Sequence, residues 1–204
     1  NLETGVEGHV TDSKTIDFGI RKYEYYWDKN KVDFPVLTLI CNGKKIFMKG
    51  GNWGMSEYLL RYHDKDYETA IRLHKEMNYN TIRLWTGCVT DDEFYDYCDR
   101  YGILVWTDFW LYVSYNDVAE HDVFLLNARD KVRRLRNRSS IAVWCGANEC
   151  RPAADLDKGC EMIVMEEDGN DRLYTSCSNQ DGKSGSGWWK DMTPKHHFEG
   201  SWSN

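Results

Sequence analysis

The chain has 204 residues, a net charge of −7 and a sequence pI near 5.4, enough length for one large domain. No cluster of Lys and Arg stands out, which argues against nucleic acid as a partner because phosphate binding needs grouped basic side chains. No apolar run is long enough to cross a bilayer, so no membrane partner is expected. Neutral ligands suit this acidic chain better than nucleic acid does. The nine Trp residues could stack on sugar rings, although core packing is the commoner use of Trp.

The cysteines and histidines favour neither disulfides nor a metal. Seven Cys form an odd number with no CxxC pair, and several lie in apolar runs, so buried free thiols are predicted. The six His show no HxxxH or HExxH spacing, so no metal site and no cofactor are expected. No signal peptide is visible at the start of the sequence, and Asn1 is predicted to lie within a longer polypeptide.

The first 43 residues differ in character from the rest. Residues 17–27 and 35–40 are rich in aromatic and β-branched side chains and predict two short strands. Asn42-Gly43, between two apolar runs, is a strong hairpin signal. This stretch is predicted to be the end of a small β-sandwich.

From residue 44 onward, strands and helices are predicted to alternate. The predicted strands are 44–50, 81–87, 103–110, 141–149 and 172–178, and the predicted helices are 64–78, 90–101, 123–138 and 155–167. Thr90 is the expected N-cap of the second helix and Gly102 its end. Val123, Leu126, Val132 and Leu135 are expected to share a face of the third helix. The alternation predicts a parallel sheet covered by helices, and residues 179–204 are predicted to be a long loop.

Two α/β folds compete, the open doubly wound sheet and the closed eight-stranded barrel. Residues 50–54 (GGNWG) lack the GxGxxG spacing of a nucleotide-binding sheet. Polar and aromatic residues instead gather at the end of each of the first strands: Asn52, Trp53, Arg83, Trp85, Asp108, Trp110, Asn148 and Glu149. Because a barrel places its active site at that rim, the barrel is favoured.

Asn148-Glu149 is the pair with the clearest chemical potential. It follows an apolar strand that would deliver a carboxylate to the barrel mouth. Glycoside hydrolysis requires a carboxylic acid that protonates the leaving oxygen, and an amide beside it can bind the sugar 2-hydroxyl. The alternative, a Glu149 that caps the next loop or pairs with Arg151, is equally compatible with this motif alone.

Four ordered motifs carry a wider resemblance. They are residues 49–53 (KGGNW), 81–85 (TIRLW), 94–106 (FYDYCDRYGILVW) and 135–149 (LRNRSSIAVWCGANE). Together they resemble glycoside hydrolase family 2, in the branch of β-mannosidases, exo-β-glucosaminidases and endo-β-mannosidases. That branch has a pattern close to R(N)HPSIxxWxGxNE, in which Ser139 here replaces the Pro. Residues 17–26 are similar to the strand that leaves the family's immunoglobulin-like domain.

The resemblance implies a fold and a set of roles. Residues 1–43 would end an immunoglobulin-like β-sandwich, and residues 44–204 would form the N-terminal part of a (β/α)8 barrel of about five βα units. Glu149 would be the general acid/base, Asn148 a substrate contact and Arg83 the arginine that orients carboxylates. The other substrate-binding residues would be Asp108, Asn52, Trp53, Trp85 and Trp110. A purely structural ion pair for Arg83, a helix cap for Asp108 and simple packing for Trp53 and Trp110 are the alternatives.

The implied activity is that of a retaining β-glycosidase on β-mannosides, β-glucosaminides or related sugars, with a periplasmic or secreted location favoured over a cytoplasmic one. A full barrel needs about 250 residues, so the chain is expected to be a fragment. No residue matches the family's nucleophile well; Glu199 is a weak candidate, and the nucleophile is expected beyond Asn204. The fragment itself should be inactive, and its open sheet edges predict self-association. A non-catalytic carbohydrate-binding or scaffolding protein of the same fold is the rival.

Overall fold

The computed structural model describes residues 2–28, 36–54, 59, 61–112 and 117–178. The strands are β1 Leu2–Val6, β2 His9–Lys14, β3 Tyr23–Asp28, β4 Val36–Cys41, β5 Lys44–Ile46, β6 Gly50–Trp53, β7 Thr81–Leu84, β8 Leu104–Asp108, β9 Ile141–Ala147 and β10 Leu173–Cys177. The helices are α1 Lys65–Glu76, α2 Asp92–Tyr101, α3 His121–Leu135 and α4 Ala154–Glu167, with a 3₁₀ turn at Trp85–Gly87. The predicted loop at 179–204 lies outside the described residues.

The N-terminal segment differs from its prediction. The β1–β2 hairpin was not predicted, because β2 is exposed throughout and has no apolar alternation. The predicted strand at 17–27 forms only from Tyr23 onward. Just before it, the Asn42 side chain accepts from Lys22 N (2.7 Å) and donates to Ile20 O (3.3 Å). These bonds satisfy backbone groups that would otherwise need a partner strand.

The Asn42-Gly43 hairpin is confirmed. Both residues have positive φ (50° and 76°), as a two-residue type I′ turn requires, and they join β4 to β5. The predicted strand at 44–50 was wrong in its extent. Its first three residues, in β5, pair antiparallel with β4, whereas the first parallel strand starts at Gly50. Only glycine fits there, because a Cβ on Gly50 would lie 1.7 Å from Thr81 O.

The largest sheet is parallel, in the order β10-β9-β8-β7-β6. All four helices pack on one of its faces, where their buried residues join those of the strands in a single apolar cluster. A doubly wound sheet would carry helices on both faces. None of the described helices combines the length and apolar character needed to cross a membrane. Self-association through the sheet edges stays a prediction.

Two helix details were predicted wrongly. The buried stripe of α3 consists of Phe124, Ala128, Val132 and Leu135, whereas Val123 and Leu126 are more than half exposed. The spacing of four, four and three places the stripe on one side, and Val123 lies about 100° away from Phe124 around the axis. The N-cap of α2 is Asp91, which has an extended backbone, and not Thr90. Thr90 lies one residue before the cap, and its side chain is buried. Gly102 ends α2 in the left-handed conformation, as predicted.

The three-stranded sheet β3-β4-β5 packs on the face of the parallel sheet opposite the helices. Tyr23 and Leu39 join Trp106 and Val143 in a second apolar cluster. The register between β8 and β9 skips Ala142, and the Tyr25 hydroxyl donates to the carbonyl of this residue. The Tyr23 hydroxyl donates to Ser139 O (2.8 Å). The small sheet is thereby anchored at the start of β9, away from the strand ends that carry the candidate site.

All seven cysteines are free thiols. Four are buried, as predicted: Cys98, Cys145, Cys160 and Cys177. The prediction was wrong for Cys41, Cys88 and Cys150, which are half-buried. Burial raises the pKa of the Cys98 and Cys145 thiols well above the ordinary value, so these two behave as small apolar side chains.

Candidate active site

Three predicted site residues converge at the C-terminal ends of adjacent strands. Arg83 from β7 donates through Nε to both Asp108 carboxylate oxygens (3.1 Å each) and through Nη2 to Oδ2 (2.5 Å). The same Nη2 donates to Asn148 Oδ1 (2.8 Å), just beyond β9. Arg83, Asp108 and Asn148 are all buried, with exposed fractions of 8%, 0% and 2%. Arg83 is therefore an ion-pair partner that also positions the amide beside Glu149.

Asp108 is the centre of this network. Besides Arg83, its carboxylate accepts from Trp106 Nε1 (3.1 Å) and Thr86 N (3.0 Å). Thr86 has φ 51° and ψ 28°, a left-handed conformation that is costly for a β-branched residue. In the turn that contains it, the Thr86 N–H donates to the Asp108 carboxylate. The carboxylate is consequently fully engaged, and it does not cap a following helix.

Asn148 presents a free donor to the site. Its Oδ1 accepts from both Arg83 Nη2 and Trp85 Nε1 (3.0 Å), which assigns the amide orientation. Its backbone N–H donates to Leu111 O (3.0 Å). Among the described residues Nδ2 has no acceptor, so it is available to a ligand.

Glu149 follows on the same loop and is half-buried. Its φ is 60°, and its N–H donates to Ser178 Oγ at the end of β10 (3.1 Å). Burial would lower the pKa of Arg83, but the Asp108 carboxylate outweighs burial and the pKa is raised; Glu149 adds to this rise. The Glu149 carboxylate thus acts electrostatically on the same network, and its strained backbone is typical of functional positions.

Asn52 and Trp85 also lie at this site. Asn52 is in register with Arg83, and both residues line a small cavity of about 80 Å³ together with Ser178. Trp85 is 39% exposed and stands edge-on to Tyr112, with ring centroids 5.9 Å apart. An exposed indole that is hydrogen-bonded to Asn148 can offer a surface to a sugar ring.

Trp53 and Trp110 are not brought to the cluster. Trp53 follows Asn52 in β6 and so points to the helix face, where it packs against His74 and Phe94. Trp110 lies after β8 in a tight turn, in which Leu111 N donates to Phe109 O (2.9 Å). The indole packs against Phe124. Both residues match the packing alternative.

The sequence interpretation missed three contributors. Trp106 lies two positions before Asp108 on the strand, so strand alternation could have placed it on the same face. The Thr86 backbone and the Ser178 hydroxyl had no comparable signal, because their roles depend on a turn conformation and on the neighbouring strand β10. No group of three or more potential metal ligands lies within the residues that the structure describes.

The turn that holds Thr86 depends on Gly87. Gly87 has φ 73°, and a Cβ there would lie 2.8 Å from Trp110 Cδ1 and 3.0 Å from Asp108 O. We expect Gly87→Ala to lower the free energy of unfolding by about 2–4 kcal/mol, measured by urea denaturation, from left-handed strain plus overpacking. Gly102→Ala is the control, since Gly102 has φ 68° but open space around its Cβ. Equal losses for the two variants would contradict the close contact.

A histidine links the start of α3 to the start of α4. His121, at the start of α3, faces Asp155 of α4 through Nδ1 and Asp117 through Nε2 (2.6 Å). Both ring nitrogens must carry protons to serve both carboxylates. Hydrogen bonds to Asp155 and then Asp117 raise the pKa of His121 above its ordinary 6.5.

This pKa shift predicts a pH-dependent stability. A raised folded-state pKa stabilises the protonated protein, so the contribution is complete below pH 6.5 and disappears as the pH rises through the raised pKa. The difference in urea midpoint between wild type and His121→Gln should therefore shrink with rising pH. His63→Gln, with one carboxylate contact on an exposed ring, is the control. A pH-independent difference would refute the two-carboxylate contact.

Comparisons with known proteins identify relatives of the chain. No family model matches the chain. The chain is 42% identical over 158 residues to the mannosylglycoprotein endo-β-mannosidase of Lilium longiflorum and 38% identical over 125 residues to the β-mannosidase of Mus musculus. These alignments cover 72% and 57% of this chain. The chain is a homologue of glycoside hydrolase family 2 enzymes of the β-mannosidase branch.

The chain is also similar to solved structures in its fold. The β-D-mannosidase of Dictyoglomus thermophilum aligns with a TM-score of 0.71 and 28% identity over 81% of this chain. The exo-chitosanase of Amycolatopsis orientalis aligns with a TM-score of 0.70 over 87% of this chain, and its 18% identity shows the fold alone. The chain spans only part of these family members: 16% of the lily protein, 14% of the mouse protein and 23% of the Dictyoglomus protein.

Proposed function

We propose that the chain is the acid/base-carrying part of a retaining β-glycosidase, with Glu149 as the general acid/base. The observation that carries this is the buried network of Arg83, Asp108 and Asn148, which holds an amide donor directly before Glu149. The five parallel strands would be the first part of a (β/α)8 barrel, in residues 44–204. Residues 1–43 would end an immunoglobulin-like domain.

The chemistry assigns each group a task. Glu149 first donates its proton to the leaving glycosidic oxygen and then, as a carboxylate, activates the water that completes hydrolysis. Asn148 Nδ2 donates to the sugar 2-hydroxyl, and Arg83 fixes the amide that does so. Trp85 supplies the aromatic surface beside them.

The nucleophile would come from elsewhere in the protein. A retaining enzyme needs a second carboxylate about 5–5.5 Å from the first. Asp108 does not suit that role, because its oxygens are held by Arg83, Trp106 and Thr86. Glu199 lies outside the described residues.

We infer β-linked mannose as the sugar. Two sequence relatives carry β-mannosidase names at 42% and 38% identity, whereas the likeness to the exo-chitosanase supports only the fold. A non-catalytic carbohydrate-binding protein is the second candidate. It is favoured by the hydrogen bonds of Asp108. Because these bonds occupy the Asp108 oxygens, this residue cannot also serve as the second catalytic carboxylate beside Glu149.

The test compares two proteins, the product of the complete reading frame and the 204-residue chain. Each is assayed on aryl β-mannoside and aryl β-glucosaminide, with proton NMR of the first-formed anomer. We expect turnover of the mannoside with retention by the complete protein and none by the chain. Sugar binding without turnover by the complete protein would support the binding protein instead. Inversion of the anomer would contradict the retaining mechanism.

A further inference from the structure

A second cavity lies on the helix face of the parallel sheet, between α2, α3 and the turn after β7. Its volume is about 420 Å³, within the range of small-molecule sites. Its walls are mainly apolar and include Tyr95, Trp110, Phe124 and Leu135. The Arg83 and Asp108 side chains lie on the opposite face of the sheet, so the site described above does not use this cavity.

Lys131 of α3 brings a cation into this apolar cavity. Its Nζ donates to the backbone carbonyl of Asp108 (2.5 Å) and lies 4.9 Å from the ring centroid of Trp110 and 5.6 Å from that of Phe109. Within the described part of the chain, no carboxylate forms an ion pair with it. Burial lowers the pKa of Lys131 to about 8, so the ammonium form still dominates at neutral pH.

Lys131 is half-buried, and an ammonium held among apolar walls without an ion-pair partner is costly, so a nearby anion would relieve that cost. The Asp108 carboxylate, on the other face of the sheet, favours the ammonium form of Lys131 but forms no ion pair with it in the described part of the chain. Arg134 is committed to Asp92 (2.8 Å and 3.0 Å) and to Thr90 O (3.0 Å). Asp130 also lines the cavity, but its residue is exposed and the carboxylate forms no ion pair with Lys131.

We propose that this cavity binds a small carboxylate with an apolar, ring-sized body. The carboxylate would pair with Lys131 Nζ, and the body would lie against Trp110 and Phe124. The amine supplies one charge and two N–H donors beyond the bond to Asp108 O, while the walls supply apolar contact. A neutral sugar suits this cavity less well, because it brings no negative charge to pair with the ammonium. The inference does not depend on the proposed glycosidase activity.

The test is calorimetric titration of the 204-residue chain with benzoate, and with benzamide as the neutral probe of the same shape. We expect saturable benzoate binding that is at least about tenfold tighter than that of benzamide, as a single charge-assisted contact provides. Lys131→Gln should abolish the preference, and Lys131→Arg should retain it. Lys158→Gln is the matched control, because Lys158 is exposed on α4, where it pairs with Glu161 (2.9 Å).

The pH dependence in the wild-type chain decides the matter if Lys131→Gln does not fold. Benzoate needs the ammonium form, so its affinity should fall as the pH rises through about 8, while that of benzamide should not change. No saturable benzoate binding, equal binding of the two probes, or benzoate binding unaffected by Lys131→Gln or by pH would each overturn the proposal.

Discussion

Replacing Arg83 by methionine is expected to lower the free energy of unfolding by about 3–5 kcal/mol, as breaking a buried ion pair does. The reason is the partner left behind. Asp108 is 0% exposed and would keep only Trp106 Nε1 and Thr86 N as donors. Urea denaturation of the chain, followed by tryptophan fluorescence, measures the change.

Two comparisons separate this effect from a general loss of packing. Arg72→Met removes exposed pairs with Glu68 and Glu76 on α1 and should change stability by less than about 1 kcal/mol. Acid should reduce the Arg83→Met deficit, because an unpaired buried carboxylate has a raised pKa and protonates readily. The difference in the free energy of unfolding between wild type and variant should therefore be smaller at low pH than at neutral pH. A deficit below about 1 kcal/mol at neutral pH would show that Asp108 is not stabilised by Arg83.

Glu149→Ala in the complete protein should lower kcat/KM on alkyl β-mannosides by about 10²–10⁴-fold, the usual contribution of general acid catalysis. The expected loss depends on the leaving group. A dinitrophenyl group departs without a proton, so formation of the glycosyl-enzyme from that substrate should be nearly unaffected. Its breakdown should then limit turnover, because no base activates the water. Azide, which needs no base, should restore turnover and give a β-glycosyl azide.

The controls address position and charge. Glu161→Ala removes an exposed carboxylate from α4 and should leave both substrates unaffected. Glu149→Gln keeps the size of the side chain and should reproduce the leaving-group dependence. If both substrates lost activity equally and azide had no effect, with the fold intact, Glu149 would not be the acid/base. That result would point to the alternative in which it has a structural role.

The two predictions concern one arrangement that serves both stability and chemistry. Arg83 links a buried acid to the amide beside Glu149, so loss of the ion pair should also displace the donor for the sugar. The stability measurement on the chain and the kinetic measurement on the complete protein can therefore fail independently. If Arg83→Met is destabilised but Glu149→Ala has the kinetics of the wild type, the network has a structural role only.

Local sequence was enough to predict the alternating elements and the family. Strand runs such as residues 141–147 are continuously apolar because the sheet is covered on both faces. Gly102 and Asn42-Gly43 readily adopt the positive φ that a helix end and a tight turn require. The same information placed Arg83, Asp108, Asn148 and Glu149 at strand ends, which parallel strands bring to one edge.

Tertiary structure decided which face of each strand meets the helices, and therefore which side chains point to the site. Trp53 and Asn52 are neighbours in sequence, yet the pleat of β6 sends them to opposite faces, and the turn after β8 sends Trp110 to the helix layer. The hydrogen bonds of Thr86 N and Ser178 Oγ depend on backbone conformation and on an adjacent strand, which residue types do not encode locally. Lys131 follows the same principle. In sequence it is one of several basic residues on α3, and only the packing of that helix on β8 places its half-buried ammonium against Asp108 O.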